Sequence, residues 1–164
     1  MARPATADDV DGICSVCAVT LRETYRGIYP PEEIEAMLAE LYRPDLIRSE
    51  IDATDGWWGW LVAEAGGGVA AAGAGGPSGP DVCELYALCV DPQMRRRGLG
   101  TAVLDRFTLQ GRAAGVSLQR ITVEPWNARS LAFFQRHGFV ERGRRPSDPA
   151  WGAADECVEL DRAI

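Results

Sequence analysis

The sequence predicts a single α/β (α+β) domain in which a mixed central sheet carries helices on both faces. Three observations lead there. Glu84–Val90 is a short apolar run, Val103, Leu104, Phe107, Gly111 and Ala114 then form one stripe at helical spacing, and Leu118–Val123 is a second strand-like run. A strand, a crossover helix and another strand of the same sheet make a right-handed parallel pair. Upstream, Gly66-Gly67-Gly68 separates two apolar runs in the manner of a hairpin turn; downstream, Phe139–Arg144 and Asp155–Leu160 read as an antiparallel closing hairpin.

Taken in order, Arg3–Thr6 fits a short strand, and Asp8-Asp9 opens a helix to about Arg22, with negative charge where the helix dipole favours it. Val10, Ile13, Cys14, Cys17 and Leu21 fall on one face of that helix. The Cys14-x-x-Cys17 pair therefore reads as core packing, because no second ligand pair follows and the single histidine, His137, is far along the chain. Tyr25-Arg-Gly-Ile-Tyr-Pro-Pro breaks the helix. Pro31 then stands in the first turn of a second helix through Ile34, Met37, Leu38 and Leu41.

Trp57–Glu64 and Val69–Gly75 are the expected hairpin strands, and Gly76-Pro-Ser-Gly-Pro80 is expected to be a flexible surface loop. The crossover helix stops at Gly115. After Pro125, Asn127 caps a short helix over Ala128–His137, and Gly138 ends it. The closing hairpin surrounds a loop containing Pro146, Pro149 and Trp151.

The 164 residues suffice for one core, and 46% hydrophobic with 25% charged residues describes a globular chain. A net charge of −7 argues against a nucleic-acid partner, since phosphate backbones are bound by extended basic surfaces, and it suits a cationic substrate such as an amine. No run approaches the roughly 18 apolar residues of a membrane span, and Met-Ala-Arg-Pro leads into acidic residues instead of a signal-peptide core. The expectation is a cytoplasmic protein without a membrane partner. Five cysteines, at 14, 17, 83, 89 and 157, fit reduced thiols there. Oligomeric state stays open between monomer and homodimer.

Chemistry concentrates in Val90–Leu104, VDPQMRRRGLGTAVL, which joins the central strand to the crossover helix through three arginines and two close glycines. Glycines at a helix start leave its amides unshielded, and free amides there bind phosphate. The spacing fits neither a Walker loop, which needs Gly-Lys-Ser/Thr, nor the dinucleotide fingerprint, which needs a small residue where Val103 stands.

Arg95-x-x-Gly98-x-Gly100 resembles the acyl-CoA pyrophosphate loop of the GNAT N-acetyltransferase superfamily. At the family's expected distance beyond it, Val123-Glu-Pro-Trp-Asn127 followed by Ser130, Leu131, Phe133, Phe134 and Gly138-Phe139 resembles the family's second signature. The resemblance covers about Glu84–Phe139 strongly. It implies one GNAT-like domain over residues 1–164, with acceptor-side helices at about 7–41, an acyl-CoA-binding core at about 84–139 and a hairpin at about 139–160. It also implies that the two parallel strands splay and take the pantetheine arm between them.

By the same resemblance the co-substrate is acetyl-CoA, no metal takes part, and the acetyl group passes to a primary amine of a small molecule or protein. The implied cofactor contacts are Leu88, Cys89 and Val90 on the strand, Arg95, Arg96, Arg97, Gly98, Leu99, Gly100 and Thr101 around the pyrophosphate, and Asn127 and Phe134 beside the arm. Tyr25, Tyr29 and Trp151 are candidate acceptor contacts. The alternative function is a non-catalytic acyl-CoA-binding regulatory module.

The nucleophile must be a neutral amine. A lysine-type amine is neutral in about one molecule in 2,500 at pH 7 and an α-amine in roughly one in seven, so a base matters most for the former. Glu84 is the first candidate and Glu124, at the end of the neighbouring strand, the second. Many family members place a tyrosine where Phe134 stands, to protonate the departing thiolate; here water or a neighbouring hydroxyl, with Tyr86 the candidate, is expected to take that part. Cys89 has no histidine near it to activate a covalent route.

Overall fold

The computed structural model describes residues 1–147 and 156–164. Five α-helices are present among them: α1 (Val10–Thr24), α2 (Pro31–Leu41), α3 (Pro44–Ser49), α4 (Leu99–Ala113) and α5 (Ala128–Arg136). The strands β1 (Ala2–Pro4), β2 (Trp60–Ala65), β3 (Gly68–Gly79), β4 (Val82–Val90), β5 (Leu118–Val123), β6 (Val140–Pro146) and β7 (Glu156–Ala163) form one seven-stranded sheet. Its order is β1-β2-β3-β4-β5-β7-β6. All neighbours are antiparallel except β4 and β5, so the expected mixed sheet is present.

Period-two alternation assigns the two faces. Trp60 and Val62 of β2 point to the side covered by α1, α2 and α3, where Val10, Ile13, Val16, Cys17, Ile34, Leu38 and Ile47 complete one core. Leu61 and Ala63 point the other way, onto Val103, Leu104 and Phe107 of α4 and Phe134 of α5. Helices thus cover both faces. Cys17 is fully buried and Cys14 half-buried, in keeping with the packing role read from the spacing of this pair, and the five cysteines are free thiols.

The turn between β2 and β3 is carried by Gly66 and Gly67, whose φ values of +65° and +89° suit the two-residue turn that matches strand twist. The expectation of a surface loop at residues 76–80 is corrected: β3 runs on to Gly79, with Gly76 opposite Glu84 and Pro77 opposite Cys83. Glycine marks close packing here. A Cβ on Gly75 would lie 2.1 Å from the Glu84 carbonyl oxygen and 2.8 Å from the Phe107 ring.

Several boundaries also differ from expectation. A 3₁₀ turn at Ala7–Asp9 precedes α1, which extends past Arg22 to Thr24. Helix α3 begins with Pro44 and buries Ile47 in a stretch with too few residues for a periodic stripe. Strand β2 starts at Trp60, because Gly59 just before it adopts φ +77°. Trp151, Pro149 and Asp155 lie outside the described residues.

The feature that shapes the site is in β4. Ala74 faces Ala87, but Gly75 faces Leu85, so Tyr86 is an extra residue with no partner on β3. Such a bulge re-aims the strand. Cys83 and Leu85 face α4, whereas Ala87 and Cys89 face α1, although all four would share a face in a regular strand. Parallel pairing with β5 stops just before the bulge: Val82, Cys83 and Glu84 pair with Leu118, Gln119 and Arg120, and nothing beyond does.

Candidate active site

Where β4 and β5 part, a cleft of about 710 Å³ opens, walled by Tyr86–Cys89 on one side and Ile121–Glu124 on the other, with Asn127, Ser130 and Phe134 of α5 at one end. The Asp91 amide donates to the Ala70 carbonyl on β3 at 2.9 Å. By alternation the backbone groups of Leu88 and Val90 then point away from β3, into the gap. The Val90 carbonyl confirms that direction, since it accepts the Thr20 hydroxyl of α1 at 3.1 Å. Leu88 thus presents an open strand edge inside the cleft, and just beyond its wall the Val90 amide points the same way while the Val90 carbonyl is held by Thr20.

Beyond Val90, Asp91 caps the Pro92–Met94 turn by accepting from the Gln93 amide at 2.8 Å. Arg96 and Gly98 have φ +62° and +78°, and α4 begins immediately after. The first helical bond runs from Ala102 to the Gly98 carbonyl at 2.9 Å, so the Leu99, Gly100 and Thr101 amides have no carbonyl of their own helix. Gly100 sits within contact range of Val90 and Phe133, where a Cβ would lie 3.3 and 3.4 Å away, so the helix start lies against the end of β4. The Leu99 side chain is buried in the core.

The arginines divide. Arg96 and Arg97 are exposed. Arg95 instead makes a two-bond pair with Glu23 of α1, at 2.9 and 2.7 Å, and Arg129 of α5 joins the same carboxylate at 2.9 Å. The hydrogen bond from Arg95, reinforced by Arg129, lowers the Glu23 carboxyl to about 2. Arg95 therefore ties the loop to α1.

The two glutamates also separate. Glu84 is 2% exposed and outside the cleft wall; Arg145 Nη2 donates to one of its oxygens at 2.7 Å and the Ser78 hydroxyl to the other at 2.9 Å. The first candidate base, Glu84, thus sits before the strands part, with one oxygen held in the Arg145 ion pair and the other by the Ser78 hydroxyl. Glu124 is in the cleft wall and accepts the Tyr25 hydroxyl at 2.8 Å. Burial, followed by the charge of Glu124, pushes the Tyr25 phenol far above its ordinary range, so Tyr25 stays the donor.

Tyr25, Tyr29 and Trp126 pack edge to face with centroids 5.2, 5.5 and 6.5 Å apart. Tyr25 reaches the cleft, while Tyr29 belongs to the buried corner behind it. Tyr86, the bulge residue, is 42% exposed, lines the cleft and stacks on Trp57 at 6.2 Å with ring planes 8° apart. Phe134 is buried between Phe133 and Phe139. Asn127 accepts the Ser130 amide at 3.2 Å and caps α5 from the cleft end. Cys89 is 3% exposed. Thr20, Trp57 and Arg145 carry no local pattern that marks them, and Trp126 stands inside the Val123–Asn127 signature without a role assigned to it there.

The sequence pattern of the acetyltransferase (GNAT) family matches residues 18–139. A mycothiol acetyltransferase from Beutenbergia cavernae is 40% identical over 83 residues, covering 49% of this chain and 28% of that protein. Another, from Propionibacterium freudenreichii, is 37% identical over 71 residues, covering 41% and 23%. The matched segment thus spans only about a quarter of these curated relatives. Among solved structures, the PaiA N-acetyltransferase of Thermoplasma acidophilum in complex with coenzyme A superposes with a TM-score of 0.82 at 21% identity, over 97% of this chain and 96% of that one. With the family pattern extending from the end of α1 through the splayed strands to Phe139, this chain belongs to the acetyltransferase (GNAT) family.

Proposed function

We propose that the chain is an acetyl-CoA-dependent N-acetyltransferase that moves the acetyl group directly to a primary amine while both substrates are bound. The observation that carries this reading is the open edge of β4 at Leu88, continued by the Val90 amide, across the cleft from a wall that holds Glu124. Acetyl-CoA brings an activated acyl carbon on an amide-rich arm ending in phosphates. The donor set fits each part. The Leu88 carbonyl and Val90 amide suit the arm's amides as a strand edge suits a strand. The Leu99, Gly100 and Thr101 amides, with Arg96 and Arg97, suit the pyrophosphate.

The Leu88 amide is a fixed donor for the carbonyl oxygen on which charge develops. Glu124 takes the proton of the amine, directly or through a water, so that its nitrogen lone pair is free. The new carbon–nitrogen bond forms as the carbon–sulfur bond breaks, and sulfur leaves with the electron pair. Phe134 has no proton to give it, so water or the exposed Tyr86 hydroxyl supplies one. A thiol titrating near 8.5 is a good enough leaving group for that donor to help without being obligatory. Arg95 serves by bracing the loop through Glu23.

The test is CoA release from acetyl-CoA over a panel of amino acids, polyamines, peptide N-termini and aminoglycosides. Amine-dependent release is expected. Tight binding of acetyl-CoA with no turnover on any amine would replace the proposal with the acyl-CoA-binding module.

A further inference from the structure

The chain's one histidine is locked against the start of α4. His137 follows α5, and its own amide donates to the Phe134 carbonyl at 2.9 Å, which strips the Phe133 carbonyl of its helical partner. The ring takes that orphan: Nδ1 lies 2.8 Å from the Phe133 oxygen, and Nε2 lies 3.0 Å from the Thr101 hydroxyl. The Phe133 ring packs on the imidazole with centroids 4.4 Å apart. A carbonyl can only accept, so Nδ1 carries the hydrogen and neutral His137 has its lone pair on Nε2. The Thr101 hydroxyl proton is then committed to His137.

Protonation reverses this bond. Imidazolium donates from both nitrogens, so Nε2–H points at the Thr101 oxygen and the hydroxyl proton turns free, beside the Gly100 and Thr101 amides, which have no carbonyl partner in their own helix. We propose that His137 is a positioning residue that sets the donor direction of Thr101 and makes binding of the CoA pyrophosphate proton-linked, tighter when His137 is charged. The inference rests on the reading that the start of α4 seats the pyrophosphate. Asp105 and Arg112 of α4 and Arg162 of β7 border the same hollow as His137, and Arg162 donates to the His137 carbonyl at 2.8 Å. On its own helix, Arg136 is exposed.

The probe is 3′-dephospho-CoA, whose pyrophosphate keeps its charge where the 3′-phosphate of CoA itself titrates. Calorimetry on the full chain should show its affinity rising on the order of tenfold from pH 8 to pH 5.5, the worth of one charge-assisted hydrogen bond. His137→Gln and Thr101→Val should each flatten that profile. The wild-type protein gives a second readout without any substitution. With one histidine the ring resonance needs no assignment, and 3′-dephospho-CoA should move its titration midpoint upward, as reciprocal linkage requires. An unmoved midpoint while the Gly100 and Thr101 amides respond to the ligand overturns the inference and leaves the pyrophosphate seat standing. No response from those amides overturns both.

Discussion

The Glu124 carboxylate holds the Tyr25 hydroxyl with one oxygen and has no second hydrogen-bond partner among the described residues, whereas both carboxylate oxygens of Glu84 are engaged. Glu124→Gln should therefore lower turnover on the order of 10²–10⁴-fold while acetyl-CoA affinity, measured by calorimetry, stays unchanged. Glu84→Gln should do the reverse. It removes the charge from a buried hydrogen bond to Arg145 and should cost about 1.5–3 kcal/mol of stability in urea unfolding, with turnover per folded molecule retained. The sequence marks both carboxylates at the strand ends but not which one the cleft reaches. That choice depends on Arg145, 61 residues from Glu84, and on Tyr25, 99 residues from Glu124, contacts that no local pattern encodes.

Helix α1 is tied to the end of β4 and the loop after it at two points, Thr20 on the Val90 carbonyl and Glu23 on Arg95. Because the Glu23 carboxyl is lowered from its ordinary value to about 2, the pair stabilises the fold fully above the ordinary carboxylate range and loses that contribution as pH falls toward 2. Melting curves should show wild type more stable than Glu23→Gln at pH 7, with the difference shrinking from about pH 5 downward. Strand β3 carries the other element-scale prediction. Gly75→Ala drives a methyl into the Glu84 carbonyl and Phe107 and should destabilise by about 3 kcal/mol in urea unfolding, because a backbone oxygen cannot move aside. Periodicity made α1, α2, α4 and the β4–α4–β5 crossover legible. It failed for the end of β3, where Gly76 and Gly79 have no side chains to show alternation, and for α3, whose six residues are too few for a helical stripe. The Tyr86 bulge was equally invisible, since an extra residue in one strand shows only against its partner.

At the scale of the molecule, the bulge in β4, the loss of pairing with β5 and the start of α4 form one continuous surface between two separate cores. A second hollow of about 520 Å³ runs along α4 from beside His137 to Arg112, bordered also by Asp105 and Arg162, and its two arginines make it the rival location for an anionic ligand. Family membership leaves that choice to be measured, because function belongs to a site and not to a fold. Amide hydrogen exchange with and without acetyl-CoA separates the two locations directly. Slowed exchange is predicted at Leu88, Val90, Leu99, Gly100 and Thr101, with β1 and β2 unchanged. Protection confined to the residues around Arg112 and Arg162, with Leu88 and Val90 exchanging at their free rates, would contradict the placement of the acyl arm between β4 and β5.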